Sequence, residues 1–115
     1  MNKKLLAAIM IFCAFIVSTA ALAHPPKSVS LTWNSNGSLA VNVVHQVNDP
    51  QKHYIERIVI YVDDKIVQQR EYSSQPNVDG LTDTFNIGQL AAGSVIKAEA
   101  FCIIMGSVTG STTAN

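Results

Sequence analysis

Beyond residue 23 the chain holds three histidines and one cysteine, the side chains best suited to binding a transition metal. His24 is followed by Pro25-Pro26. His45 closes a stretch of alternating apolar residues, and His53 opens the next apolar run. Cys102 keeps phase with Ile96, Ala98 and Ala100, which places its thiol on an inward face near the end of a strand. Neutral imidazole and deprotonated thiolate form a donor set suited to iron, copper or zinc. Proton release accompanies such binding, so loading depends on pH. Taken singly, each residue has a plainer reading. A histidine at a strand end is ordinarily solvated, and a cysteine among Ala and Ile behaves as a small hydrophobe. Spacing adds the functional signal: only Gln46 to Lys52 separates His45 from His53, so one turn-like connection can bring the two rings together.

The elements that must position these residues read as strands. Val29, Leu31 and Trp33 alternate with Ser28, Ser30 and Thr32, the period-two pattern of a half-buried strand. Asn36-Gly37 is a hairpin signal. Leu39, Val41, Val43, His45 and Val47 share one face of the return strand, which Asn48-Asp49-Pro50 ends. Tyr54 to Val62 is dense in β-branched and aromatic residues. Asp63-Asp64 marks a tight turn into Ile66 to Tyr72. After a loop over Pro76 to Gly80, Thr82 to Ile87 gives a shorter strand. Ala91-Ala92-Gly93 turns into a last long strand, Val95 to Ile104, and Ser111 to Asn115 reads as a tail. Six or seven strands at this spacing predict an all-β sandwich of immunoglobulin-like type.

Residues 1–23 read as a cleavable signal peptide. Lys3 and Lys4 precede the apolar run Leu5 to Val17, and Ala21-Leu22-Ala23 fits the small-residue cleavage pattern. That run is short of the roughly 20 apolar residues a membrane-spanning helix needs. The expectation is a secreted or periplasmic domain over 24–115, free of the membrane once processed. Its six Lys and Arg face eight Asp and Glu, a net charge of −2 with no basic stripe for nucleic acid. Cys13 leaves with the leader. Cys102 then has no internal disulfide partner, which excludes a disulfide-stapled miniprotein.

His24-Pro25-Pro26, then His45, then His53-Tyr54-Ile55-Glu56-Arg57-Ile58, then Cys102-Ile103-Ile104-Met105-Gly106 together resemble the superoxide reductase (desulfoferrodoxin and neelaredoxin) iron domain. The resemblance covers nearly all of 24–115, and His-Tyr-Ile-x-x-Ile is its most specific part. It implies a seven-stranded immunoglobulin-like sandwich and a mononuclear non-haem iron. His24, His45 and His53 would be equatorial ligands and Cys102 the axial thiolate. It also implies an oxidoreductase that reduces superoxide to peroxide, with the electron resupplied by an unidentified donor. Three positions depart from the family pattern. Met105 stands where a fourth histidine is expected, Arg57 replaces a tryptophan, and Leu22-Ala23 occupy the places of a Glu-Lys pair. Lys27 and Lys52 are the candidates to supply positive charge in place of that lysine.

Cleavage after Ala23 would give His24 a free α-amino group, and an N-terminal histidine chelates through its amine and ring together. With His45 or His53 as a further nitrogen donor, copper competes with iron. Three readings therefore stand side by side. One is a superoxide-reductase-like iron protein. Another is a non-enzymatic module holding copper or zinc. The last is a metal-free sandwich that binds a protein partner, since fold alone does not define function. Each is compatible with a homo-oligomer.

Overall fold

Alternation of apolar and polar residues turns most of this chain into sheet. The computed structural model describes residues 24–115; the expected leader lies outside the described residues. Seven strands form: β1 (Ser28–Trp33), β2 (Ser38–Val44), β3 (Ile55–Val62), β4 (Lys65–Glu71), β5 (Gly80–Asn86), β6 (Val95–Cys102) and β7 (Ser107–Thr113). They pair antiparallel throughout, in a three-stranded sheet ordered β1-β2-β5 and a four-stranded sheet ordered β4-β3-β6-β7. The two sheets stack as a sandwich. Between them lie Leu39, Val41 and Val43 of β2, Ile58 and Ile60 of β3, Phe85 of β5, and Ile96, Ala98 and Ala100 of β6. Removing each of the larger side chains from water contributes about 1.5–3 kcal/mol.

Turn chemistry sets the register. In the β1–β2 hairpin, Gly37 donates its N–H to the Asn34 carbonyl and alone takes a positive φ, 97°. The β3–β4 turn is tighter. Asp63 and Asp64 both lie in the left-handed region, at φ 49° and 67°, the two-residue turn whose twist matches that of the strands. Their carboxylates are used as well: Asp63 accepts the Val95 N–H at 2.9 Å, and Asp64 pairs with Lys97 at 3.1 Å. Between the edge strands β4 and β5, Asp83 accepts from Arg70 at 2.7 Å and from the Tyr72 hydroxyl at 2.6 Å. Arg70 also lies over the Phe85 ring, 4.4 Å from its centroid.

The C-terminal region differs from the expectation of one long strand and a tail. β6 ends at Cys102, and Ile103–Gly106 turn the chain back into β7. The sequence of β7, Ser-Val-Thr-Gly-Ser-Thr-Thr, carries no apolar alternation and gave no strand signal. It is held instead by its ladder with β6 and by a close approach to β1. A Cβ at Gly110 would stand 2.2 Å from the Val29 carbonyl oxygen, so this position admits only glycine unless β1 and β7 separate. Gly110→Ala is therefore expected to cost about 1–3 kcal/mol of unfolding free energy, as over-packing does. Chemical denaturation measures it, and an unchanged midpoint would contradict the β1–β7 contact.

Candidate metal centre

His45 is the residue immediately after β2 and continues the parity of Leu39, Val41 and Val43, so its ring enters the end of the core and is fully buried. Its backbone N–H donates to the Asp79 carbonyl at 2.9 Å. His53 sits one residue past a turn capped by Asp49, whose carbonyl accepts the N–H groups of Lys52 and His53 and whose carboxylate accepts that of Gln51. His24 comes from the segment leading into β1. Ser28 is opposite Val44 in register, and the Lys27 N–H donates to the Val44 carbonyl at 2.8 Å, which brings the preceding residues beside His45. Pro25 packs so closely on Gly106 that a Cβ there would meet it at 2.8 Å.

These three segments converge. Ring centroids are 4.7 Å apart for His45 and His53, 4.9 Å for His24 and His53, and 5.3 Å for His24 and His45. One nitrogen from each ring lies within 4.8 Å of the others. Nitrogens sharing one metal at about 2.0–2.1 Å are at most about 4.2 Å apart, so modest side-chain rotation completes a three-nitrogen shell. The donor atoms are also free. Nε2 of His45 and Nε2 of His53 are buried with no hydrogen-bond partner among the described residues. An orphaned buried polar atom costs about 1–3 kcal/mol, and a metal held between the rings would satisfy both. The Nδ1 atoms of His45 and His24 are held by other groups, which leaves the remaining nitrogen of each for ligation. Nδ1 of His45 lies 2.5 Å from Gln75 Oε1, and Nδ1 of His24 lies 3.0 Å from the Pro25 carbonyl oxygen. The cluster opens to solvent through a cleft lined by Gln46, Asn48, Asp49 and Ile104.

Burial of its ring is the main reason the His45 pKa falls below the ordinary value; the Gln75 hydrogen bond opposes this and the His24 charge adds to it. His53 is lowered by burial first, then by His45 and His24. For these two residues the neutral, ligating form is therefore favoured.

The remaining candidates lie around this group. Cys102 is buried at the end of β6, opposite Ile55, and its Sγ accepts the Ile104 N–H at 3.4 Å. Its sulfur is outside the set of ligand atoms that lie within 4.8 Å of one another. Met105 is 52% exposed in the β6–β7 turn. Lys27 and Lys52 are exposed and form no ion pair among the described residues. Arg57 caps the outer sheet face, 4.1 Å from the Phe101 ring centroid. Gln75, which touches both His45 and the start of β3, went unnoticed in the sequence. A lone glutamine in a Ser-Ser-Gln-Pro loop carries no pattern, and only its burial reveals it.

Comparison with known protein families, with characterised proteins and with solved structures finds no match to this chain.

The lowered histidine pKa values fix the sign of a pH effect. Unfolded, these rings take up protons near pH 6.5; folded, His45 and His53 resist until lower pH. Their contribution is thus fully present above about pH 6.5 and is lost as pH falls through the folded values. Unfolding free energy of the metal-free protein should decline between pH 7 and pH 5, above the range where exposed carboxylates titrate. The decline should shrink in His45→Gln. A profile that is flat over this interval would contradict the burial of the cluster.

Proposed function

We propose that this domain is a metal-binding module that holds one copper or zinc ion through His24, His45 and His53, without an enzymatic step of its own. The observation that carries this reading is the pair of partnerless buried Nε2 atoms on His45 and His53, with His24 closing the triangle within 4.8 Å. Three neutral imidazoles suit zinc and copper well, and the open cleft leaves a coordination position for solvent or an exchanging ligand. The leader-like residues 1–23 support export to the periplasm or beyond, where the mature chain would start at His24 and its α-amine would become a further nitrogen donor. We also read the sandwich as immunoglobulin-like, on strand number and turn spacing.

A second reading keeps the iron chemistry suggested by the sequence resemblance. It is supported by Cys102, buried at the β6 end opposite Ile55, with its sulfur already accepting the Ile104 N–H. In that reading Cys102 would join the histidines in holding an iron ion, which would supply one-electron reduction of superoxide; Lys27 and Lys52 would draw the anion in, and a separate electron donor would be required. Met105, on an exposed turn, would serve as a soft ligand only after the turn closes over the histidines.

Metal titration decides between them. Zn(II) or Cu(II) should bind at one per chain, and His53→Ala or His45→Ala should weaken binding by roughly 100-fold or more, about 2.7 kcal/mol. Equal affinity in the wild type and these variants would remove the histidines from the site. Preferential loading with iron, with a visible thiolate-to-iron band abolished in Cys102→Ser, would replace the module reading with the reductase one.

A further inference from the structure

Gln75 sits in the loop between β4 and β5, far in sequence from any histidine, yet it is only 3% exposed and uses its whole side-chain amide. Its Nε2 donates to the carbonyls of His45 at 3.1 Å and Asn77 at 3.2 Å. Its Oε1 accepts the Ile55 N–H at 3.0 Å and lies 2.5 Å from His45 Nδ1. Three of these four partners are main-chain groups, whose roles cannot be exchanged. An N–H only donates and a carbonyl only accepts. The amide therefore cannot be turned over: its oxygen must face Ile55 and its NH₂ group must face the two carbonyls. With an oxygen fixed beside it, Nδ1 of His45 has to carry the ring proton. The lone pair of the neutral ring is thereby assigned to Nε2, the atom that is buried without a partner among the described residues, in a ring whose neighbours are those of His24 and His53.

No other side chain meets these demands. Glutamate keeps the acceptors but sets a carboxylate oxygen against two carbonyls. Methionine fills a similar volume and satisfies none of the four groups. Asparagine is one methylene short. Gln75 also grips the His53 segment from both sides, since its own N–H donates to the Pro50 carbonyl at 3.0 Å while its side chain holds Ile55.

We propose that Gln75 is the positioning residue of the histidine centre, fixing His45 as an Nε2 donor and holding the His45 and His53 segments at ligating distance. The inference rests on reading the three histidines as a metal centre. The test combines two measurements on the metal-free and Zn(II)-titrated protein. Multiple-bond ¹⁵N–¹H spectra assign the tautomer of each imidazole, and the titration gives affinity. In the wild type, His45 should be the Nδ1–H tautomer; finding the proton on Nε2 overturns the assignment without any variant. Gln75→Met, with all three histidines intact, should lose the fixed tautomer, whereas Gln75→Glu still offers an acceptor to Nδ1 and should keep it. The Zn(II) affinity of Gln75→Met should fall about 10–100-fold, the usual effect of removing a group that orients a ligating histidine. A folded Gln75→Met that binds Zn(II) as tightly as the wild type overturns the role of Gln75 and leaves the metal centre standing. A wild type with the Nδ1–H tautomer that binds no Zn(II) overturns the centre itself, and the positioning role with it.

Discussion

Burying an imidazole at the end of a hydrocarbon core imposes a constraint that much of this end of the molecule answers. His45 continues the inward parity of β2, so the strand carries a polar ring into the place where Leu39, Val41 and Val43 carry methyl groups. One nitrogen of that ring is met by Gln75, and meeting it requires the β4–β5 loop to fold under the β2 terminus. The backbone follows suit, with the N–H groups of His45 and Val47 donating to the carbonyls of Asp79 and Val78. The second nitrogen is left open. Rigidity on one side of the ring and vacancy of hydrogen bonding on the other are the conditions under which an imidazole becomes a predictable ligand.

The three histidines are not equivalent within this scheme. His45 is fixed by packing and by an amide whose orientation is dictated by the main chain. His53 is partly buried and depends on the Asp49 turn. His24 is the least constrained, held chiefly through Pro25 against Gly106 and through the Lys27 hydrogen bond to β2. The centre therefore grades from a rigid inner donor to an outer one near the cleft. Cys102 lies close by in the fold but outside the triangle, its sulfur turned to the Ile104 N–H. Histidine geometry and thiol geometry are thus separable, which is why a nitrogen-only centre and a thiolate centre make different demands on the β6–β7 turn.

Much of this was legible in the residues. Alternation along β1 and β2 gave both strands and placed His45 inward, and the short Gln46–Lys52 connection brought His45 and His53 together as expected. The Asp63-Asp64 turn and the inward phase of Cys102 were equally readable. What escaped had physical reasons. β7 is stabilised by backbone pairing and by the absence of a side chain at Gly110, and neither leaves a hydrophobic period in Ser107–Thr113. Gln75 acts through four hydrogen bonds to groups between 2 and 30 residues away, mostly main chain, so no spacing rule points to it. The convergence of His24 depends on strand register between β1 and β2, which a single sequence specifies only after the sandwich is known.

The contact between Pro25 and Gly106 joins nearly the first described residue to one near the end of the chain. Closing so long a loop is among the slower events in assembling a β-sandwich, because distant segments must meet before any contact rewards the lost chain entropy. The seat of His24 is consequently shared between two distant parts of the chain, and a change in the β6–β7 turn reaches the donor triangle through Pro25.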